Sequence, residues 1–232
     1  MDATEAFAIA QQRIEKELEE KTGRLDLSDL PLAELPPALG TLLHLKELIL
    51  TKPHYIFDEA FWENPLGRSP LCDLGLIAPL IFLESMHCPF SSVKDLSLLA
   101  RMSGLRTLDC SDTSVSDLSP LSTLSNLSSL NCSNSGVSDL SPLANLSSLS
   151  HLDCSGSGVS DLSPLANLFN LSDLGCARTS VSDLSPLANL FNLSSLRCFG
   201  TNVSDLSPLA NLSHLSDLDC TDTDISDLSP LA

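Results

Sequence analysis

The chain has 232 residues, a formal net charge of −18, and a composition that is 43% hydrophobic but 4% aromatic. Its negative charge would repel a nucleic-acid backbone or an anionic membrane, so we expect no nucleic acid and no membrane as a partner. No apolar run has the length of a membrane span, and the first residues lack the basic end and apolar stretch of a signal peptide. We therefore expect a cytoplasmic segment with an aliphatic core.

Residues 1–22 are predicted to form a capping helix, because Phe7, Ile14 and Leu18 lie on one side of a helical projection and charged residues lie elsewhere. Residues 23–82 follow with leucines at short but irregular intervals, as in LDLSDLPLAELPPALGTLLHL. We expect this second region to continue the core that the helix covers.

The segment 51–65 interrupts the leucine pattern and holds the single tyrosine, Tyr55, and the single tryptophan, Trp62. One hypothesis is a loop that binds a partner, since aromatic side chains anchor many interfaces. The alternative, which we favour, is that Phe57, Phe61 and Trp62 fill an irregular part of the core.

From residue 83 to 232 the chain repeats with a period of 22 residues. The copy that begins at Leu105 reads LRTLDCSDTSVSDLSPLSTLSN, and we number positions 1 to 22 of every copy in this register. Leucine dominates positions 1 and 4, cysteine fills position 6, a hydroxyl residue position 9, and aspartate position 13. A unit of this kind buries its apolar face only against its neighbours, so the period predicts a solenoid.

The motif L-x-x-L-x-C, followed by a hydroxyl residue and by D-L-S-P-L-A-x-L, resembles the internalin-like, 22-residue class of bacterial leucine-rich-repeat proteins. The resemblance implies an α/β solenoid, curved and right-handed, with a parallel sheet on the concave face, 3-10 or short helical turns on the convex face, and the N-terminal capping helix. The opening helix and irregular repeat are similar to the beginning of Roco-type multidomain proteins. No G-x-x-x-x-G-K-[ST] motif occurs here, so a GTPase module would lie outside this chain.

Strand geometry predicts which positions form the core. Alternation places positions 1, 4 and 6 inward and positions 2, 3 and 5 outward. The Ser-Pro pair at positions 15 and 16 is expected to begin a helical turn, with the serine as N-cap and the proline at the first helical position.

Seven of the eight cysteines fall at position 6, and the eighth is Cys72. Stacked strands lie about 4.8 Å apart, which exceeds the roughly 3.8 Å between the Cβ atoms of a disulfide. We therefore expect reduced, buried thiols that act as small hydrophobic side chains and not as a metal cluster. Such thiols also favour a reducing compartment.

The hydroxyl at position 9 is predicted to bond backbone groups of the adjacent coil. The aspartates at position 13 suggest either a row of calcium ions or carboxylates that accept N–H bonds from the following turn. We favour the second interpretation, because calcium needs six or more oxygens and one carboxylate per coil supplies few. No metal and no cofactor are expected.

Variation between copies is concentrated on the outward side of the strands and just after them, whereas VSDLSPLANL is identical in four copies. A constant scaffold with a varied concave strip suits recognition of a protein or peptide ligand, although a merely solvated face would look similar. Arg178, Arg197 and Phe199 interrupt an acidic strip and are all expected to be exposed, while Phe169 and Phe191 are expected to pack on the opposite side. The candidate partner-binding residues are His87, Phe90, Arg106, Asp109, Asn131, His151, Asp153, Arg178, Arg197, Phe199 and Asp219.

Three functions stay open: a protein-binding module, which we favour, the ligand-sensing arm of a Roco-type GTPase or immune-receptor-like ATPase, and a structural spacer. The five histidines are scattered and none accompanies a nucleophile and an acid, so we expect no enzyme in these residues. The last copy stops at Ser229-Pro230-Leu231-Ala232 without a polar terminal repeat. From this we expect a fragment, or an open edge with possible self-association.

Overall fold

The computed structural model describes residues 1–51 and 69–231. In this part of the chain one α-helix is followed by nine three-residue strands that alternate with 3-10 turns. Most of the predicted aromatic segment 51–65, including Tyr55 and Trp62, lies outside the described residues. The helix and strands are α1 (Ala3–Glu20), β1 (Arg24–Asp26), β2 (Glu47–Ile49), β3 (Ser85–His87), β4 (Thr107–Asp109), β5 (Ser129–Asn131), β6 (His151–Asp153), β7 (Asp173–Gly175), β8 (Ser195–Arg197) and β9 (Asp217–Asp219).

The nine strands form one parallel sheet in sequence order, which confirms the predicted solenoid. Pairing is in register with the repeat, so that the same position always meets itself: Met86 lies opposite Leu108, and Leu108 lies opposite Leu130. Each coil therefore supplies hydrogen-bond partners to the next one, as parallel strands require.

The core is a set of continuous columns between the sheet and the 3-10 turns. In the copy that begins at Leu127, the side chains of Leu127, Leu130, Cys132, Val137 and Leu143 are at most 1% exposed. No coil closes this core alone, and its stability is shared between neighbours.

Helix α1 covers the first coil with a face that overlaps the predicted one, since Ile14 is buried as predicted but Leu18 is not. The side chains of Ala6, Ala10 and Ile14 are fully buried, whereas Leu18 is 46% exposed and Phe7 is half-buried. Alanines at a spacing of four residues form a flat stripe that allows the helix backbone to approach the coil closely. No helix in the described residues is both long and apolar enough to cross a membrane.

Glu17 fixes the end of α1 to the first two coils. Its buried carboxylate accepts hydrogen bonds from the Thr22 hydroxyl and, at 2.7 Å, from the Gly23 N–H, and it lies 2.9 Å from Nε2 of His44. Burial alone would raise the pKa of Glu17, but these hydrogen bonds outweigh it and the pKa is lowered.

The 3-10 turns are capped by aspartate and not by serine. The turn Ser119–Leu121 has Leu118 at its N-cap, and Asp117 accepts the Ser119 N–H at 2.8 Å. The predicted serine N-cap is therefore wrong, because the serine is already the first residue of the turn, while the predicted role of the aspartate column is confirmed. The same bond is made by Asp95, Asp117, Asp139, Asp161, Asp183, Asp205 and Asp227.

The position 9 hydroxyl bonds its own coil, which corrects the prediction of a bond to the adjacent one. Thr113 Oγ1 donates to the Cys110 carbonyl at 2.6 Å. The link to the next coil is made by the Cys110 N–H, which donates to the backbone carbonyl of Asn131. The hydroxyl thus satisfies the carbonyl at the point where the chain leaves the strand and can no longer pair with a neighbouring strand.

Two further ladders join neighbouring coils. The Ser150 hydroxyl donates to the Ser128 carbonyl at 3.0 Å, and Nδ2 of Asn170 donates to the Ser147 carbonyl at 2.8 Å. They fix the lateral edge of the solenoid at the start of each strand.

The cysteine column is a row of free thiols, as predicted. Six of its members are buried, Cys220 is half-buried, and Cys72 outside the column is exposed. Burial raises the pKa of Cys88 to about 12 and raises those of Cys110 and Cys132 well above the usual range. A thiol that stays protonated in an apolar column is a poor nucleophile.

We therefore expect a maleimide probe to label Cys72 rapidly in the native protein and Cys220 more slowly. The six buried thiols should react only on the timescale of unfolding, because they are both covered and protonated. Mass spectrometry after timed quenching measures this, with a sample in guanidinium chloride as the full-labelling control. Fast native labelling of most of the column would contradict the inward placement.

The last described coil exposes apolar side chains: Leu228 is 62% exposed and Leu231 is 44% exposed. Addition of a polar capping repeat after this coil should lower self-association, since it covers these side chains and the free side of β9. Light scattering of the two forms at matched concentrations provides the measurement. A monomer whose scattering is unchanged by the cap would refute the expectation of an adhesive edge.

Candidate binding surface on the strand face

Position 5 forms one row across the outer side of the sheet, because in-register pairing puts each residue beside its equivalent in the next coil. In the regular repeats the row runs from β3 to β9, and Ile49 and Asp26 continue it onto β2 and β1. Its members in the regular repeats are His87, Asp109, Asn131, Asp153, Gly175, Arg197 and Asp219.

Several members of this row support the chain itself. Oδ1 of Asp109 accepts the Ser111 N–H at 3.1 Å and the Ser111 hydroxyl at 2.7 Å, and Oδ1 of Asn131 accepts the same two groups of Ser133 at 3.1 and 2.8 Å. Asp153 and Asp219 accept the N–H two residues later in the same way. These predicted contact residues fold back over the turn, and Asp109 and Asp153 are buried.

Asp109 has a less favourable environment than its neighbour in the row. Burial raises its pKa, and the hydrogen bonds from Ser111 only partly oppose this effect. Asn131 makes the same two hydrogen bonds without a charge. The ionised form of Asp109 therefore costs free energy that an asparagine would avoid.

Replacement of Asp109 by asparagine should raise the free energy of unfolding at neutral pH, because it removes a buried charge and keeps an oxygen that can accept both hydrogen bonds from Ser111. The folded pKa lies above the unfolded one, so the gain should be absent at low pH, where Asp109 is protonated in both states, and should appear as pH rises through the folded pKa. Urea unfolding of both forms across pH measures it.

Asp153→Asn is the matched control. Asp153 also pairs with Arg197, so this variant should lower the free energy of unfolding. An equal gain from both variants would contradict the interpretation of Asp109.

Arg197 and Asp153 pair across an intervening coil. Nη2 of Arg197 lies 3.4 Å from Oδ2 of Asp153, and the two side chains are 20% and 8% exposed. Gly175 lies between them on β7, and a Cβ there would be 2.6 Å from Oδ1 of Asp153. The missing side chain leaves the space that the pair occupies. The expectation that Arg197 is exposed is therefore wrong.

Arg178 and Phe199 are brought together on consecutive coils. The guanidinium carbon of Arg178 lies 5.2 Å from the centroid of the Phe199 ring, within the range of a cation–π contact. Arg178 is exposed and Phe199 is half-buried, so the ring supports the cation on its solvent side.

Arg178 occupies a repeat position with an unusual backbone conformation, which the sequence analysis did not predict. Position 8 has a left-handed backbone in every regular coil, with φ of 53° at Arg178 and 54° at Phe90. Glycine, asparagine and aspartate tolerate this conformation, whereas arginine and phenylalanine are strained in it. The signal in the sequence was that glycine, asparagine or aspartate fills five of the seven copies of this column: Asp112, Asn134, Gly156, Gly200 and Asp222.

The other predicted residues lie apart from this cluster. His151 is exposed, with Nε2 3.2 Å from Oδ2 of Asp173. Arg106 lies at the start of β4 beside Glu84, and not on the centre of the sheet. His87 and Phe90 are half-buried, and β3 is four strands from β7, roughly 19 Å at the usual spacing. The predicted residues are therefore spread along the sheet from β3 to β9, and contacts between their side chains join Arg178 to Phe199 and Arg197 to Asp153.

Phe169 and Phe191 do not pack as expected. They are 55% and 52% exposed, at equivalent positions just before β7 and β8. Within residues 1–51 and 69–231, no group of three or more histidine, cysteine, aspartate or glutamate side chains is arranged to hold a metal ion.

Comparison with known sequences identifies the repeat. A family model described as leucine-rich repeats in two copies matches residues 103–145 and 125–167. Among curated protein sequences, none matches the chain significantly.

Solved structures with similar folds include two proteins of Listeria monocytogenes. An internalin (inlF) is 27% identical with a TM-score of 0.75, and the match covers 90% of this chain and 63% of that one. An internalin C2 (inlC2) is 29% identical with a TM-score of 0.73, covering 83% and 79%. The chain thus spans less than two thirds of the first of these proteins.

Two more distant structures show the fold alone. A leucine-rich-repeat protein of Leptospira interrogans is 18% identical with a TM-score of 0.74, and the match covers 86% of this chain and 48% of that one. The plant peptide hormone receptor RGFR1, in complex with RGF2, is 16% identical with a TM-score of 0.69, covering 87% and 32%.

Proposed function

We propose that this chain, a leucine-rich-repeat protein of the internalin-like class, binds a protein or peptide through the strand face of its solenoid. The observation that carries the proposal is the cluster of Arg178, Phe199 and Arg197 on adjacent coils. Its ligand would be an acidic or aromatic group of the partner, since planar cations bind carboxylates and stack on rings.

The geometry of the cluster supports a binding role. Arg178 occupies a left-handed backbone position that is filled by Gly200 in the next coil, so the arginine costs stability where glycine would not. Arg197 is held by Asp153 across Gly175, which restricts its side chain before any ligand arrives. Cations fixed in this way lose little entropy when a partner binds.

The plant peptide hormone receptor RGFR1, in complex with RGF2, has a similar fold, which supports the idea that a solenoid of this kind can bind a peptide. We further propose that the chain has no catalytic activity of its own and works in a reducing, cytoplasmic setting. The row of free, buried thiols favours that setting. The other candidates stay proposals: a sensing arm of a larger enzyme, or a spacer if the face binds nothing.

The test of the proposal begins with affinity capture of a partner, whose binding is then measured by calorimetry. Arg178→Gly should weaken binding at least tenfold, because it removes the cation while giving the backbone its preferred residue. The free energy of unfolding should change by less than about 1 kcal/mol, since relief of the left-handed backbone offsets the lost ring contact.

The double variant Phe169→Ser with Phe191→Ser is the control, since serine fills this position in other copies. If the control abolishes binding while Arg178→Gly leaves the affinity intact, the strand face is not the binding surface. Arg197→Ala is less suitable as a probe, because it leaves the buried Asp153 carboxylate unpaired and should cost roughly 2 kcal/mol of stability.

A further inference from the structure

A groove lies at the lateral edge of the first coils, where the chain enters β2, β3 and β4. We call it the front groove. The residues that line it include Leu43, Lys46, Ile81, Phe82, Arg101 and Arg106.

The front groove has an apolar base that is open to solvent. Phe82 is 63% exposed, Leu43 is 55% exposed and Ile81 is 38% exposed. These side chains belong to consecutive coils and line one depression. Clustered apolar surface of this kind marks a place where another molecule is buried.

The charges of the groove are opposite in sign to those of the protein. Lys46, Arg101 and Arg106 line it together with one carboxylate, that of Glu84. Glu84 lies 2.5 Å from Lys46 and 3.9 Å from Arg106, and the hydrogen bond from Lys46 lowers its pKa. Three of the twelve lysines and arginines thus meet at this groove in a chain of net charge −18.

The groove departs from the repeat through Phe82, Arg101 and Arg106, whereas position 21, which holds Ile81 here, also carries the exposed Phe169 and Phe191 in later copies. Exposure to solvent does not by itself explain why phenylalanine or arginine stands at these positions. At positions 22, 19 and 2, Phe82, Arg101 and Arg106 correspond to Asn126, Asn145 and Ser128.

We propose that the front groove binds a short acidic segment of a partner protein, which places an aromatic or leucine side chain on Phe82 and Leu43 and its carboxylates against Arg101 and Arg106. The charge of the groove selects an acidic ligand, and its apolar base selects a hydrophobic anchor. The site lies beside the sheet and uses none of the residues of the Arg178 cluster, so it goes beyond the strand-face function.

An anionic membrane has similar chemistry but fits less well. A bilayer is flat and meets a whole side of the solenoid, whereas the cations of the groove are confined to three coils. From Leu105 onward the chain holds fourteen aspartates and three arginines. An anionic surface would therefore repel this part of the protein.

The experiment measures fluorescence polarisation of a labelled eight-residue peptide of glutamates with a central Phe-Leu pair, added to the full chain. Two further peptides replace the glutamates by lysine or the Phe-Leu pair by Ser-Ser. The acidic apolar peptide should bind, and each altered peptide should bind at least tenfold more weakly. Phe82→Asn and the double variant Arg101→Asn with Arg106→Ser should each weaken binding of the first peptide about tenfold.

Phe169→Ser is the matched control, because it removes an exposed phenylalanine from the same lateral edge where no arginine lies nearby, and it should change the affinity less than twofold. Thermal unfolding midpoints should be unchanged in all variants, since the replaced side chains are exposed. Arg178→Gly should leave peptide binding intact, which separates this site from the strand face.

Equal binding of the lysine peptide, an equal effect of Phe169→Ser, or no binding of the acidic peptide at millimolar concentration would each overturn the proposal. Co-sedimentation of the chain with phosphatidylserine vesicles but not with the peptide would overturn it in favour of a lipid surface.

Discussion

The sheet and the core of residues 69–231 depend on one constraint: each repeat position stacks in register on the same position of the next coil. Leu108 lies opposite Leu130, and Leu130 lies opposite Leu152, because the spacing of 22 residues and the parallel pairing coincide. A residue that suits one coil is therefore repeated as a column. The core extends along the solenoid axis and has no single centre. A substitution in the core is felt by two neighbours at once.

Stacking also brings like groups together, and polar columns need a compensating interaction. Asp183 is surrounded by Asp161 and Asp205, whose charges raise its pKa, yet the hydrogen bonds from Ser185 dominate and the pKa is lowered. A lowered pKa means that these carboxylates add stability above their unfolded pKa, and that this contribution is lost as pH falls through the folded pKa. At Asp183 the hydrogen bonds from Ser185 thus outweigh the repulsion along the column.

The sequence was sufficient to predict features that a column determines. The inward cysteines, the parallel sheet and the aspartate acceptors all follow from one residue type in one register. The hydrogen-bond partners of individual polar side chains were not predictable in this way. Thr113 bonds its own coil, and Asp109 folds back over Ser111, because a short polar side chain reaches the nearest backbone group before a distant one.

The position of Arg197 illustrates a further limit, since it depends on the coil between the partners. Asp153 and Arg197 are separated by two repeats, and they meet because Gly175 has no side chain. Nothing in the spacing of the two charged residues indicates the contact, whereas the glycine in an otherwise polar row does. The buried face of α1 was mispredicted in part: Ile14 is buried as predicted, but Ala6 and Ala10 pack against the coil and Leu18 does not.

Variation in a repeat protein is therefore evidence of function only when the variant residue is worse for the scaffold. Asn131 and Asp219 differ in sequence but accept the same two hydrogen bonds from the residue two positions later, so their difference carries no functional information. Arg178 is different, because it strains a backbone position that glycine fills in neighbouring copies, and Phe82 is different, because it exposes an aromatic ring where asparagine occurs later. Residues that cost the scaffold free energy, and that the packing of the coil does not require, are the ones that a ligand would explain.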